Sequence, residues 1–535
     1  MTTWYAVEEF TPEERAALAP HVTSLDGPVF ALTNLPEVVK GALFARYSRT
    51  TKSLRRLFLD EFADDARADG SMTRTGEARA EKLYERVFVE YGDDSVAQLG
   101  GVHLACEQAS QLLCKALEWG RLAAYLEQST RYMRYDDRPG GRWRACAPPE
   151  IVGTDLEPRF DAYLDLVFEA YGRMYEPMAS FFREKFPQSP GDRDAVYRQT
   201  IMAKTCDTLR VLLPAATRSN LGIFATGQSY EQLLMRLAAH PLAEMREYGR
   251  LMLIELRKVI PAFLRRVDVE DRGVAWSRYW QETAGGVQEA TSKALLGVTA
   301  EPRPEVTLVD WDPDGEVDLA AAIMYAASGL PDDQLMRIAR AMTQAEREEL
   351  IGASVGARTN RRHKPGRAWE RTHYRFDVLC DYGAFRDLQR HRPLTIEWQR
   401  LTTSHGPEMP PEIEEAGLRD DWERVMEASV DLEHDMLAAG LEEVAQYAVS
   451  MAYRIRFVMQ MNAREAMHLI ELRSQPQGHP TYRRVARTMH RLIDEVAGHH
   501  AIARAFTYVD TTDVDLERLD AERRLDAKRR APSAE

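Results

Sequence analysis

Apolar residues recur three and four positions apart, with charges between them, over Tyr163 to Phe182, Glu231 to Val267 and Leu432 to Arg456. This spacing predicts amphipathic helices. Pro28 to Ser48 and Val306 to Ser328 share a different pattern, a short β-like run passing into a helical one, so the chain opens twice. Between the two openings, Glu301-Pro302-Arg303-Pro304-Glu305 cannot continue a helix and marks a boundary. The expected divisions are residues 1–300, residues 301–515 and a charged tail, 516–535. Apolar residues alternate over Arg367 to Asp377, which predicts a strand. The first half also has more sequence between Ser129 and Arg210 than the second has between Arg400 and Gln446, and the extra part, centred on Phe160 to Asp194, is expected to be a peripheral helical addition.

Two polar segments stand out, one in each half. Arg390-His391-Arg392, in the run Leu388 to Arg400, packs three groups that favour anionic or aromatic partners. Glu127-Gln128-Ser129-Thr130-Arg131-Tyr132 offers an acceptor, an amide, a hydroxyl and a guanidinium to a small polar ligand. In an extended segment Ser129 and Arg131 would point to the same side, able to clamp one phosphate with Arg210, and Glu127 would lie one step earlier on that side. Asn462 followed by Glu465 is a helix-start signature whose free backbone N–H groups suit a phosphate. Arg473 falls nearly on the same helical face, about 16 Å further along.

Together the two segments resemble the signature of the flavin-dependent thymidylate synthases, an Arg-His-Arg triplet followed by a Ser and then by x-Arg-Tyr. Setting Arg121 against Arg392 places Gln128 against Gln399, so both halves carry the signature in register. Each copy keeps a different part. The first has Trp119-Gly120-Arg121 at the triplet but retains Glu127, Gln128, Ser129, Arg131 and Tyr132; the second keeps the triplet but has Trp398, Arg400 and Thr402 at the Glu, Ser and Arg positions. Likewise Leu209 to Pro214, with Arg210, resembles the family's Ala-Arg-x-x-Leu-Pro run, whereas the second copy has Ala445 to Ser450. Asn462-Ala463-Arg464 leading to Leu472-Arg473 matches the family's Asn-x-Arg and Leu-Arg helix, where the first copy has only Thr226 to Leu237. Reciprocal loss of this kind implies one composite site maintained by both copies.

The resemblance implies an α+β fold of two tandem thymidylate synthase copies, helix-rich with small sheets. It implies FAD held by Arg390, His391, Arg392, Asn462, Arg464 and His468, with Ser95 approaching the flavin from Gly92-Asp93-Asp94-Ser95. A pyrimidine nucleotide, dUMP by resemblance, would be held by Glu127, Gln128, Ser129, Arg131, Arg210 and Arg473. The implied reaction is reductive methylation of dUMP to dTMP, with methylenetetrahydrofolate and NADPH as co-substrates and Arg473 stabilising negative charge as the ring is polarised. The family's homotetramer becomes an expected homodimer. Asp387 stands where the family has Gln, His468 where it has Asn, and Pro393 directly follows the triplet. A flavoenzyme acting on another pyrimidine nucleotide, or a non-catalytic flavin or nucleotide binder, is therefore the alternative.

Composition narrows the setting. The 535 residues are 44% apolar and 29% charged, an ordinary globular balance, and exceed one comfortable core. The formal charge of −14 argues against general nucleic-acid affinity. Cys106, Cys114, Cys146, Cys206 and Cys380 are odd in number and lack Cys-x-x-Cys pairing, and no basic-then-apolar leader or membrane-length apolar run is present, so a cytoplasmic protein is expected. No Cys sits in the Pro-Cys context of the flavin-free thymidylate synthases. His490, His499 and His500 lack a convincing ligand spacing, and no metal is expected.

Overall fold

A computed structural model describes residues 7–47, 50–65 and 98–513, with positions 516, 519 and 522–524 of the tail. Two antiparallel sheets repeat one strand order. The first is β1 (Gly101–Ser110), β3 (Arg218–Thr226) and β2 (Ala123–Glu127), in the order β1-β3-β2. The second is β4-β5-β7-β6, built from β4 (Val306–Trp311), β5 (His373–Asp381), β6 (Thr395–Trp398) and β7 (Arg454–Asn462). Thus β5-β7-β6 repeats β1-β3-β2, and the chain is two tandem copies of one α+β fold. On β5, Tyr374, Phe376, Val378 and Cys380 are wholly buried while His373, Arg375, Asp377 and Leu379 are partly exposed, the alternation of a strand with one face in the core.

The repeat extends to helix starts. Ser110 and Asp381 each end a strand and cap the next helix, accepting from the N–H of Leu113 and Ala384. Thr226 and Asn462 do the same for Ser229 and Glu465. Such caps satisfy backbone donors that a first turn leaves unpaired.

The compact packing units do not follow the sequence halves. Unit one comprises Met1–Glu107, Leu122–Glu127 and Asn220–Val298; unit two comprises Gln108–Arg121, Gln128–Ser219 and Thr299–Glu535. Within unit two, equivalent positions of the copies meet: Pro214 bridges Ser450, and the Tyr382 hydroxyl donates to the Gln111 carbonyl at 3.2 Å. Backbone bonds from Ala215 to Val449, Met451 to Leu213 and Ala452 to Val211 tie the same segments together.

Several sequence expectations change. The Tyr163 to Phe182 pattern belongs to a longer helix, Leu156–Lys185, and that helix is core rather than peripheral. Its Tyr163, Phe168, Tyr171, Met174, Met178 and Phe182 are buried, and the Tyr163 hydroxyl donates to the Ala448 carbonyl at 2.6 Å. The Glu231 to Val267 pattern divides into helices Gly227–Ala239 and Ala243–Leu256 and a 3-10 turn, Pro261–Leu264, because Pro241 and Pro261 interrupt the backbone ladder. The Leu432 to Arg456 pattern ends early. Helix Arg419–Ala438 stops at Gly440, whose φ of +74° lets Leu441 N–H reach the Met436 carbonyl at 2.9 Å, and β7 starts at Arg454. The β-like run after Pro28 forms only an isolated bridge, Val22 to Leu32, between prolines 28 and 36. Arg367–Glu370 is a 3-10 turn, and the expected strand begins at His373. Among the described residues, no helix is long and apolar enough to cross a membrane.

If helix Leu156–Lys185 is core, Phe168→Ala should lower unfolding stability by about 3 to 5 kcal/mol, measured by urea denaturation. A loss under about 0.5 kcal/mol, typical of surface substitutions, would return this helix to the periphery.

Candidate active site

Unit two gathers arginines of both copies around two carboxylates. The first is Asp207, one turn before Arg210 at the end of helix Asp194–Leu209. It receives a two-point bond from Arg131, Nε to Oδ1 and Nη2 to Oδ2, both 2.9 Å. This fork geometry is the strongest form of guanidinium–carboxylate pairing. Arg131 Nη1 also donates to the Tyr482 hydroxyl at 3.2 Å and Nη2 to the Gln477 carbonyl at 3.3 Å, both in the second copy. Arg210 Nε lies 3.2 Å from Asp207 Oδ1 without alignment for a hydrogen bond, so its Nε and Nη2 are buried without hydrogen-bond partners. Burial raises the Asp207 pKa, but the charges of Arg131, His479 and Arg210 more than reverse this, holding it well below the usual carboxylate range.

The second carboxylate is Asp387, in helix Tyr382–Leu388 just before the triplet. Its oxygens lie 3.7 Å from Arg210 Nη1, 3.8 Å from Arg473 Nη1 and 3.9 Å from Arg390 Nη1. Burial again raises its pKa, and Arg390, Arg473, Arg210 and Arg131 pull it down further than burial lifts it.

Arg473 ends helix Ala463–Arg473, and its guanidinium carbon lies 5.4 Å from the Tyr482 ring centroid. Its Nε–H donates to His391 Nε2 at 3.0 Å. A guanidinium only donates, so the His391 ring proton must sit on Nδ1, which donates to Glu465 Oε1 at 2.9 Å. The other Glu465 oxygen faces His468 Nδ1 at 3.2 Å. Burial, partly offset by the Glu465 hydrogen bond, lowers the His391 pKa to about 4. Glu465 is lowered to about 2, its burial outweighed by the hydrogen bonds from His391 and His468. His391, Glu465 and His468 offer atoms within 4.8 Å of one another, a spacing that suits a cation. The proton on His391 Nδ1 instead makes the trio a hydrogen-bonded chain leading to Arg473.

The remaining expected residues are disposed as follows. Gln128 accepts at its carbonyl from Ser219 Oγ at 3.1 Å. Ser129 and Arg131 are not extended: the chain turns there, and Ser129 Oγ accepts from the Arg131 N–H at 3.2 Å. The side-by-side phosphate clamp expected of them is therefore incorrect, because Arg131 turns inward to Asp207. Glu127 closes β2 opposite Leu221 and belongs to unit one. Asn462 is a helix cap, and Arg464 Nε donates to the Pro365 carbonyl at 2.9 Å. Arg390 and Arg392 are exposed. Ser95 lies outside the described residues.

Comparison with known proteins decides the family. Residues 42–262 and 307–498 each match the family described as thymidylate synthase complementing protein. The chain belongs to this family. It is a tandem, divergent member, with one match in each copy. It is 37% identical to a UPF0159 protein of Chlamydia pneumoniae over 97% of this chain and 98% of the relative. A UPF0159 protein of Chlamydia muridarum is 38% identical over 97% and 99%, and one of Thermoplasma acidophilum 32% identical over 91% and 99%. Among solved structures, a UMP/dUMP methylase, PolB from Streptomyces cacaoi bound with 5-Br dUMP, matches 38% of this chain and 93% of its own, at 18% identity and a TM-score of 0.30. The family assignment rests on the sequence matches alone.

Against the family signature, sequence reasoning missed Asp207, Tyr482 and Glu465. Asp207 was discoverable, since an Asp three residues before an Arg shares its helical face. Tyr482 carried no motif signal. Glu465 belongs to the helix start that the sequence predicts, and its N–H bonds the Asn462 cap at 2.9 Å, but its carboxylate serves the two histidines.

The His391 environment has a pH consequence. The unfolded chain takes up a proton near 6.5 and the folded one only near 4, so the unfolded state binds more protons between these values and stability falls as pH drops. This group should cost about 3 kcal/mol across that window. His391→Gln should flatten the fall when denaturation is measured from pH 7 to 4; an unchanged slope would refute the buried neutral ring.

Proposed function

We propose that the chain methylates C5 of a pyrimidine nucleotide, dUMP being the form named by the motif resemblance, in a flavin-dependent reaction at a site drawn from both copies. The observation carrying this reading is the meeting of Arg131 and Arg210 with Arg390 and Arg473 in unit two. Four guanidiniums against Asp207 and Asp387 leave two positive charges, and a nucleotide phosphate near neutral pH carries about −2. The unpartnered donors of Arg210 support an anion there, since burying them without an acceptor is costly.

The charge and exposure of the triplet support a flavin dinucleotide. Exposed Arg390 and Arg392 flank buried His391, and two guanidiniums suit a pyrophosphate. Asn462, Arg464 and His468 would complete the binding helix, with Ser95 left as a sequence expectation. When bound, the FAD would supply reducing equivalents drawn from NADPH and handle the one-carbon unit of methylenetetrahydrofolate. The chain's own residues provide position and charge. Arg210, backed by Asp207, would hold the phosphate. Arg473, held at its Nε edge by His391, would turn its other nitrogens to a ring carbonyl and stabilise negative charge as C5 becomes nucleophilic. Because a guanidinium keeps its proton, it does this without acting as a general acid. A homodimer in the cytoplasm is the accompanying assembly and location.

Purified protein should show a flavin absorbance spectrum after FAD is added, and should convert dUMP to dTMP with methylenetetrahydrofolate, FAD and NADPH. Arg210→Ala should weaken dUMP binding about ten- to a hundredfold while flavin stays bound. Arg473→Ala should depress turnover more than flavin binding. Arg400→Ala, at the Ser position of the second copy, should change little. Folded protein that retains no FAD, or flavin-loaded protein that leaves both dUMP and UMP unchanged, would sink the corresponding half of the reading.

A further inference from the structure

Asp387 replaces the Gln of the motif resemblance, and the change alters what a ligand must present. An amide can donate and accept, whereas an ionised carboxylate only accepts. The side chain retains 12% exposure, so it remains within reach of a ligand. Its oxygens face Arg210, Arg473 and Arg390 at 3.7, 3.8 and 3.9 Å, all beyond hydrogen-bond length. No other donor among the described residues hydrogen-bonds to it. The surrounding guanidiniums keep the group ionised, yet no described residue uses its hydrogen-bonding capacity, an unstable condition for a buried carboxylate unless a ligand brings donors.

Position indicates which part of the ligand that is. This step rests on the reading that a pyrimidine nucleotide occupies the site. One Asp387 oxygen looks toward Arg210, at the phosphate end, and the other toward Arg473, at the ring end. The sugar lies between phosphate and ring. Phosphate and ring-carbonyl oxygens are acceptors and would be repelled by the carboxylate, whereas sugar hydroxyls donate. A ribose carries vicinal 2′ and 3′ hydroxyls, which two adjacent carboxylate oxygens can accept together; a 2′-deoxyribose carries only one of that pair. An acidic side chain accepting from a ribose hydroxyl is a recurrent device in nucleotide sites. We propose that Asp387 accepts the vicinal hydroxyls of a ribose and makes this site selective for a pyrimidine ribonucleotide over its 2′-deoxy form.

Calorimetric titration of the full-length protein with UMP and with dUMP, FAD present at one fixed concentration, tests this. Wild-type protein should bind UMP about tenfold more tightly, the loss expected for one charge-assisted hydrogen bond. Asp387→Gln, which restores an amide, should bring the two affinities within about twofold. Equal wild-type affinities, or tighter binding of dUMP, would overturn the proposal without any variant. A UMP preference that survives in folded Asp387→Gln would overturn the role of Asp387. If wild-type protein discriminates UMP from CMP but not from dUMP, the carboxylate reads the ring N3–H instead and the ribose assignment is wrong. If folded wild-type protein binds neither UMP nor dUMP, the nucleotide reading itself fails and the ribose assignment falls with it.

Discussion

A buried guanidinium must be paired, and Arg131 and Arg210 are nine-tenths or more buried. Asp207 bonds Arg131 at two points and offsets the charge of Arg210 without hydrogen-bonding it, and its position on helix Asp194–Leu209 fixes where the turn at Arg131 can go. Removing one partner from such a cluster typically costs about 3 to 5 kcal/mol, since the survivor is left charged and desolvated. Arg131 also reaches Tyr482 and Gln477 in the second copy, so the pairing that satisfies one arginine docks two segments far apart in sequence. The disposition of Arg210, and through it the surroundings of Asp387, depends on this ion pair.

The same positions in the second copy hold a related pairing. Glu443 stands three residues before Gln446, as Asp207 stands three before Arg210, and it too binds an arginine from the segment after the short strand: Arg400 Nη2 lies 2.6 Å from Glu443 Oε1. Gln446 Nε2 donates to the Glu443 carbonyl and carboxylate at 3.0 and 3.1 Å. Trp398, at the Glu position, is drawn into an aromatic group with Trp119 and Phe385 at centroid distances of 6.0 and 5.5 Å. The acid–arginine pairing recurs in both copies, while Trp398 packs among aromatic rings where the first copy has Glu127. Part of the Asp207–Arg131 pairing is therefore architectural, whatever the ligand.

The repeat was legible because strand alternation and helix caps are local properties. The two motif blocks were in register, and Ser110, Asp381, Thr226 and Asn462 close strands and open helices where the alignment puts them. Less legible were features set by tertiary contact. Phe160 to Asp194 looked like an insertion because the first copy is longer there, yet its apolar stripe lies in the core of unit two. Arg131 looked like a phosphate ligand because Ser129 precedes it, but the chain turns and the arginine satisfies Asp207 first. Gly440 and Pro241 are local stop signals through which the apolar spacing runs on, so the helix ends there are legible from residue type and not from periodicity. The boundary near Glu301 to Glu305 separates repeats in the sequence, whereas packing unit two combines segments from both sides of it.

The bridge between Pro214 and Ser450 has an evolutionary consequence. In an assembly of identical subunits, any substitution at a contact between equivalent positions appears on both sides at once, and each must tolerate its own reflection. Here one side is proline and the other serine, and the Ser450 hydroxyl bonds the Val211 carbonyl across the contact. Such a junction is open only to a heterogeneous chain. Once it has formed, separating the halves would expose surfaces that no longer match copies of themselves, so the fusion acts as a ratchet, and later adaptation can tune either half alone.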